Sequence, residues 1–327
     1  MESVPCNLCG AQTHELVKVI HERRYGMSAT FCIVRCLHCG LLYLNPRPNE
    51  QEMLAYYPPE YQAAIRQVLQ DLRQSRIGRI GLQILRRVRK PPLAEVGSAL
   101  DIGCSSGDYL AYLRTLGWKV YGIELDEEAA RHAREHFGID VRAGAAEHTL
   151  NEFPDMSFDV VTMWHVLEHL FDPSLVLAEV HRILRPGGIL ILEMPNVRSL
   201  WASLLGEYWF PLEIPRHLYH FTPPTLRAML TKTGFRLTRL VGVPAPIEII
   251  WSLSILWNHW QRTTSEGRLI WSPTGVVLLY PIELLLAHFL RSTFMQVVAE
   301  KPCKGARSKA TRNKATREQS PCDLVTL

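Results

Sequence analysis

The chain has 327 residues, 47% of them apolar and 21% charged, which suits one full-size domain plus a smaller one and excludes a disordered polymer. Its net charge of +4 sits at the C-terminus, where 301–327 hold seven Lys/Arg against two acidic residues, so the remainder is near neutral and no chain-wide polycation is present. No apolar run follows Met1-Glu2-Ser3, which predicts no secretory signal and a cytoplasmic protein; the eight cysteines then read as metal ligands rather than disulfides.

Cys6-x-x-Cys9 and Cys36-x-x-Cys39 form two knuckles, each followed by glycine (Gly10, Gly40). Paired thiolates at this spacing close on one tetrahedral ion, and glycine relieves the tight turn. The 26-residue loop between the pairs predicts a hairpin, 15–19 against 31–34. Cys6, Cys9, Cys36 and Cys39 are expected to hold a structural Zn²⁺ in a ribbon-like module over 1–44. Cys32 is expected to be buried or spare, and His38 to face solvent.

Residues 45–93 read as a linker and a basic helix. The linker carries Tyr56, Tyr57 and Tyr61, candidates to roof an acceptor cleft or to pack one module on another. Between 66 and 90 there are eight basic residues and one acid, Asp71, with apolar residues at helical spacing. Two readings stay open there: a solvated helix face, or contact with a membrane or phosphate.

The stretch 98–107, S-A-L-D-I-G-C-S-S-G, is a short apolar strand entering a Gly/Ser turn, with helical spacing from Asp108. A second strand, 119–123, ends on Glu124. Small residues let a backbone approach a ligand, a helix start offers unpaired N–H groups, and a carboxylate at the next strand tip can take both ribose hydroxyls. These features predict a nucleoside site at the carboxyl edge of a parallel sheet. The spacing is D-x-G-x-x-x-G, not the G-x-G-x-x-G of dinucleotide sites. Asp101 would repel a pyrophosphate and suits a cationic ligand.

This run resembles motif I of the class I S-adenosylmethionine-dependent methyltransferases. F-D-V-V-T-M-W-H-V-L-E-H-L at 158–170 is similar to that family's fourth strand and following helix, and L-R-P-G-G-I-L-I-L-E-M-P-N at 184–196 to its fifth strand. The likeness covers 94–243 and a terminal strand, about half the chain. It implies an α/β fold with a Rossmann-like seven-stranded mixed sheet over 94–300. It also implies S-adenosylmethionine as cofactor, with Asp101 and the turn of Gly103, Cys104, Ser105 and Gly107 at the methionine end. Glu124 would hold the ribose, Leu125 and Trp164 are further cofactor-site residues, and the Ala146 backbone or Glu147 is the candidate for the adenine contact. Ser105 replaces the family's middle glycine, and Ala145 stands where many relatives carry an Asp that bonds the adenine amino group. A similar cysteine module precedes some bacterial sugar and small-molecule methyltransferases, and 44–61 resembles their linker.

Methylation of a hydroxyl needs in-line alignment and a proton acceptor, and histidine is the usual base near neutral pH. His165, Glu168 and His169 at i, i+3 and i+4 predict a helix presenting all three on one face. By resemblance to sugar methyltransferases, His169 is the first choice for base with Glu168 assisting; a purely bracing role stands as the alternative. P-R-H-L-Y-H-F at 215–221 puts Arg216, His217 and His220 on the loop after the fifth strand, ahead of a helix capped by Thr222 and Pro223. His217 and His220 are reserve bases, and Arg216 is a candidate for an acidic group on the acceptor. Trp201, Tyr208, Trp209 and Phe210 are candidates for an apolar or sugar-stacking surface.

About 50 residues, 244–292, separate the predicted sixth strand (235–243) from the seventh (294–300). The insert carries Trp251, Trp257, Trp260 and Trp271. Its apolar run, 275–290, is broken by Pro281, Glu283 and His288 and is short for a span of ~20 residues. The chain must return to its sheet. It forms either a helical cap over the acceptor cleft, which is preferred, or a monotopic hairpin at the inner membrane face. The tail, 301–327, is expected to be disordered.

The combined expectation is S-adenosylmethionine-dependent methylation of a small-molecule or glycan acceptor, lipid-linked ones included, with O-methylation preferred to C-methylation. One rival is a nucleic-acid methyltransferase using the ribbon as a platform, which needs a continuous basic track with stacking aromatics. The other is a binding scaffold that no longer takes the cofactor.

Overall fold

The computed structural model describes residues 1–21, 29–57, 74, 79, 89–261 and 273–303. Tyr61, Trp271, most of the basic stretch 66–90 and the tail beyond 303 lie outside the described residues.

The N-terminal part begins with β1 (His14–His21), which runs antiparallel to β2 (Thr30–Cys36), and β2 pairs in turn with β3 (Leu42–Leu44). A single turn, α1 (Glu50–Met53), follows, held by a reciprocal capping box between Asn49 and Glu52.

The central part alternates β4 (Ser98–Ile102), α2 (Asp108–Thr115), β5 (Lys119–Glu124), α3 (Glu127–Phe137), β6 (Asp140–Ala143), α4 (Ala146–Thr149), β7 (Phe158–Trp164), α5 (Pro173–Ile183) and β8 (Leu184–Pro195). The five strands are parallel. Parallel strands covered by helices on both faces are buried throughout, so β4 and β7 read as near-continuous apolar runs rather than alternating ones. Local signals set the helix ends. Asp126 accepts from the Glu128 N–H at the start of α3, and Gly138 ends it at φ +60°.

Beyond β8 come α6 (Leu200–Leu205), β9 (Tyr219–His220), α7 (Pro223–Lys232), β10 (Arg236–Val243), α8 (Pro246–Trp260), α9 (Pro273–His288) and β11 (Phe294–Glu300). Thr222 caps α7 with Pro223 in its first turn, as the spacing predicts. The large sheet has the order β10-β11-β8-β7-β4-β5-β6, with β11 antiparallel to both neighbours. This is the expected seven-stranded mixed α/β sheet.

Dipeptide strand β9 does not join that sheet. It pairs with β3, Leu42 opposite His220 and Tyr43 opposite Tyr219, and completes a four-stranded sheet of order β1-β2-β3-β9. The loop after β8 is thereby stitched to the cysteine-bearing module. Arg47 reinforces the seam, donating to Glu2 at 2.8 Å, to the Phe171 carbonyl at 2.9 Å and to the Tyr219 hydroxyl at 3.0 Å. Asn7, inside the first knuckle, donates to Asp172 at 2.8 Å and accepts from the Ser174 N–H at 3.0 Å.

The insertion is a helical hairpin, α8 and α9, between two adjacent strands. Helix α9 lies so close on β10 that a Cβ at Gly242 would fall 2.5 Å from the Ala287 Cα. Glu283 is fully buried beneath the hairpin, accepting from Trp201 Nε1 and the Ala245 N–H at 2.9 Å each and from the Thr293 N–H at 3.3 Å. Ile249 and Ile250 of α8 turn inward, and the Ser252 hydroxyl accepts from the Phe210 N–H at 2.8 Å. The inner side of the hairpin thus sits on the segment after β8. Among the described residues no helix is long and apolar enough to cross a membrane.

Candidate active site and metal centre

Strand β4 delivers the chain into a turn of left-handed residues: Gly103 at φ +73°, Ser105 at +50° and Gly107 at +81°. Ser105 holds the backbone shape that glycine adopts without strain, at the position where the resemblance expects glycine. Its N–H donates to Glu124 at 2.7 Å, and the other Glu124 oxygen accepts from the Asp126 N–H at 2.9 Å. Burial raises the Glu124 pKa, against the pull of those N–H groups. Asp101, 2% exposed, accepts from Thr162 Oγ1 at 2.5 Å, and burial pushes its carboxyl up to about 7. Trp164 ends β7 with its Nε1 buried and without a hydrogen-bond partner, the Arg89 guanidinium 4.3 Å from its ring and Tyr109 edge-on at 5.4 Å.

The remaining positions named from the resemblance follow the carboxyl ends of β4, β5 and β6. Cys104 is buried with its Sγ packed against Gly122, and burial raises its thiol. Leu125 is exposed. Ala146 is buried at the start of α4, where Ala145 supplies no side-chain cap. Glu147 accepts from the Phe171 N–H at 2.9 Å and so braces the segment after β7. Polar groups gathered at this edge include the Asp101 and Glu124 carboxyls, the 103–107 turn and the unsatisfied Trp164 Nε1. Two carboxylates beside a small-residue turn fit a cationic nucleoside carrying a ribose diol.

The helix expected over 165–169 does not form. His165 leaves β7 at φ +59°, and the chain makes one short 3₁₀ turn, Leu167–His169. Asp172 then restarts the chain as the cap of α5, and Pro173 behind it keeps Asp172 out of helical geometry. His165 and His169 therefore take different partners, with Glu168 near both.

His165 points between two carboxylates, 3.7 Å from Glu168 and 3.4 Å from Glu193. Burial opposes its protonation, but Glu168 and Glu193 outweigh that and push its pKa up to about 9. It is an imidazolium at neutral pH, a charged brace with no lone pair to act as base. Burial also opposes ionisation of Glu193, yet Arg89 at 2.5 Å and His165 hold its carboxyl down at about 2. Gln296 donates to the same carboxylate at 3.1 Å. Sequence reasoning missed Arg89 and Glu193 as partners; the available signal was an acidic residue inside the buried run of β8.

His169 faces the other way. Its Nδ1 lies 3.1 Å from the Arg216 carbonyl and 3.1 Å from the Tyr57 hydroxyl. A carbonyl only accepts, so Nδ1 carries the proton and Nε2 the lone pair. His217 follows the same rule, its Nδ1 donating to the Pro211 carbonyl at 2.8 Å, and the two rings meet edge to face at 4.5 Å. Burial lowers all three cluster histidines, His217 to about 4 and His220 to about 3, so they are neutral at pH 7. Glu168 is 2% exposed and neither of its oxygens has a hydrogen-bond partner; His220 Nε2 is likewise buried and bare. One ligand atom each from Glu168, His169 and His217 lies within 4.8 Å of the others, a donor set able to hold a cation.

Two expected acceptor contacts are already occupied. Arg216, 1% exposed, donates to Glu213 at 2.5 Å and to the Tyr56 carbonyl at 3.3 Å, so it serves the protein and not an acceptor's acidic group. Trp209 is a core residue, Trp201 is tied to Glu283, and Phe210 packs on Trp251 at 4.9 Å.

In the N-terminal module, Gly10 and Gly40, at φ +77° and +76°, return their N–H groups to the carbonyls of Cys6 and Cys36. These twin turns bring Cys6 Sγ to 3.4 Å from Cys39 Sγ and Cys9 Sγ to 3.5 Å from Cys36 Sγ, with all four within 4.8 Å. A tetrahedral Zn–S shell with bonds of about 2.3 Å has edges of roughly 3.8 Å. The four thiols fit one such ion, and Cys32, half-buried on β2, stands outside the group.

Fold and cradle together define a class I S-adenosylmethionine-dependent methyltransferase. The chain belongs to the methyltransferase-domain family, whose description, "Methyltransferase domain", matches residues 69–240. A ubiquinone biosynthesis O-methyltransferase of Pseudomonas aeruginosa is 33% identical over 156 residues, which are 44% of this chain and 66% of that protein. The chain thus spans just under two thirds of that relative's length. A probable S-adenosylmethionine-dependent methyltransferase of Mycolicibacterium smegmatis is 36% identical over 146 residues, 44% of this chain and 54% of the relative. Among solved structures, a SAM-dependent methyltransferase from Archaeoglobus fulgidus aligns over 72% of this chain and 99% of its own at 20% identity, with a TM-score of 0.49.

Proposed function

We propose that the protein methylates a hydroxyl of a small-molecule or glycan acceptor, with His169 as the proton acceptor and a structural Zn²⁺ on Cys6, Cys9, Cys36 and Cys39. The observation that carries this reading is the neutral His169, its Nε2 lone pair left available by the Arg216 carbonyl, one short turn past β7. The O-methyltransferases among the relatives support oxygen as the atom methylated. S-adenosylmethionine, when bound, supplies an electrophilic methyl on a sulfonium. Asp101, Gly103, Ser105, Gly107, Glu124 and Trp164 would hold it. His169 takes the hydroxyl proton at Nε2, and Tyr57 and the Arg216 carbonyl keep the ring from turning. Glu168, buried behind it, stabilises the imidazolium that results.

A second reading is favoured by one observation: the buried Glu168 carboxylate faces His169 and His217, and no hydrogen bond satisfies it. A divalent cation held by these three would orient and acidify the acceptor hydroxyl in place of a base. Release of S-adenosylhomocysteine with a panel of phenolic and glycan acceptors tests both. Under the first reading His169→Gln cuts turnover steeply, and brief chelation that leaves the cysteine-bound zinc in place by elemental analysis does not; under the second, that chelation abolishes turnover and added divalent metal restores it. Parental turnover in both arms removes the cluster from the chemistry.

A further inference from the structure

Half of the large apolar side chains that are exposed among the described residues lie on the α8–α9 hairpin, and six of them, Trp257, Trp260, Val277, Leu278, Leu285 and Phe289, are more than half exposed. We propose that this hairpin is a monotopic membrane insert that seats the protein on a phospholipid surface.

The first argument is angular. On α9 the exposed positions 277, 278, 280, 282, 284 and 285 cover roughly 200° of the helix circumference at 100° per residue. A helix that packs in a protein groove needs an apolar stripe of about 100°. A second copy of this chain would cover one stripe and leave the rest wet, whereas hydrocarbon surrounds the whole arc.

The second argument is charge. Glu248 and Glu283 are the only Asp, Glu, Lys or Arg on the two helices. Glu283 is turned inward and satisfied by Trp201, Ala245 and Thr293, and Glu248 sits in the first turn of α8, beside the sheet. Among the described residues, the outward faces of the two helices beyond that first turn therefore carry no Asp, Glu, Lys or Arg to desolvate.

The third is length and tethering. Helices of 15 and 16 residues reach about 23 Å, short of the ~30 Å hydrocarbon layer. Val243 and Phe294 are direct strand partners, so both legs return to one edge of the same sheet. Such a hairpin lies in the interface and does not span it. Trp257, Trp260 and Tyr280 supply rings suited to the headgroup level.

The experiment compares the full chain with its Leu278→Asp/Leu285→Asp double variant by sedimentation with phosphatidylcholine vesicles. Tryptophan emission and solution mass are followed in parallel. Both substitutions fall at exposed positions, and unchanged S-adenosylmethionine affinity confirms that the variant is folded. The parent should sediment with vesicles with a blue shift in emission, and partitioning should fall about tenfold or more for each substituted leucine. A parent that stays in the supernatant, or a variant that partitions like the parent, overturns the proposal. A parental dimer that the substitutions dissociate, without vesicle binding, gives the face to a second copy instead.

Discussion

Tyr43 of β3 and Tyr219 of β9 are strand partners, and their rings stack with centroids 6.4 Å apart. This contact ties the last strand of the cysteine module to the loop that carries Arg216, His217 and His220. Metal loss should therefore be felt at the histidine cluster. Cys6→Ser and Cys39→Ser should lose zinc by elemental analysis and speed amide exchange over 215–221, while S-adenosylmethionine affinity stays nearly unchanged. Unaltered exchange in a zinc-free variant would mean that the strand pairing holds without the ion.

Asp101→Asn and Glu124→Gln should each weaken S-adenosylmethionine binding by roughly tenfold or more, the loss of one charged hydrogen bond of ~1.5–3 kcal/mol. Both substitutions keep the side-chain shape, and in Asp101→Asn the new amide oxygen can still accept from Thr162. Calorimetry decides: parental affinity in both variants would take the cofactor away from this cradle.

With His169 as base, kcat/KM should rise with pH and level off below the ordinary histidine value of 6.5, because burial lowers its pKa and only the neutral ring accepts a proton. His169→Gln should cut turnover by ~10²–10⁴-fold and abolish that acid limb. An acid limb that survives the substitution assigns the titration elsewhere.

His165 gives a stability signature of the opposite sign. Its folded pKa of about 9 lies above the ordinary 6.5, so its contribution is full below about 6.5 and is lost as pH rises through about 9. Glu193, held at about 2, contributes above its ordinary 4.5 and loses that as pH falls through about 2. Urea midpoints measured from about pH 6 to 10 should slope downward in the parent. The slope should flatten in His165→Gln, and an identical slope in both proteins would show that folding does not raise the His165 pKa.

Glu283→Ala should be among the more damaging single substitutions in the insertion, at ~2–4 kcal/mol, since it strands the Trp201, Ala245 and Thr293 donors in a dry site. Glu283→Gln, which keeps an acceptor, should cost less. Thermal unfolding that ranks the two equally would point to packing rather than hydrogen bonding.

Apolar runs and turn chemistry make most of the large sheet legible. β4, β5, β7, β8 and β11 follow largely buried stretches, β10 is an exposed-to-half-buried edge strand between Gly234 and Pro244, and Thr222-Pro223 marks its helix start without ambiguity. The paired C-x-x-C knuckles are equally plain. What escapes has two causes: pairing between distant parts of the chain, and local backbone geometry that residue spacing does not reveal. β9 is only two residues long, too short for any periodic signal, and exists because β3 offers it an edge. The divergence of His165 from His169 comes from one left-handed residue followed by a helix restart at Asp172-Pro173, which overrides i, i+4 spacing. Glu283 reads as an interruption of an apolar run because its three donors come from elsewhere in the chain.

The shared strand also imposes an order on synthesis. β3 emerges from the ribosome early, while its partner β9 must wait until the central sheet's strands through β8 have been made. Until then β3 presents an open edge, the kind of surface that recruits foreign strands. A module begun before the large sheet is thus closed only after five of that sheet's seven strands have been made. Nascent chains stalled before residue 220 should be those most dependent on chaperones.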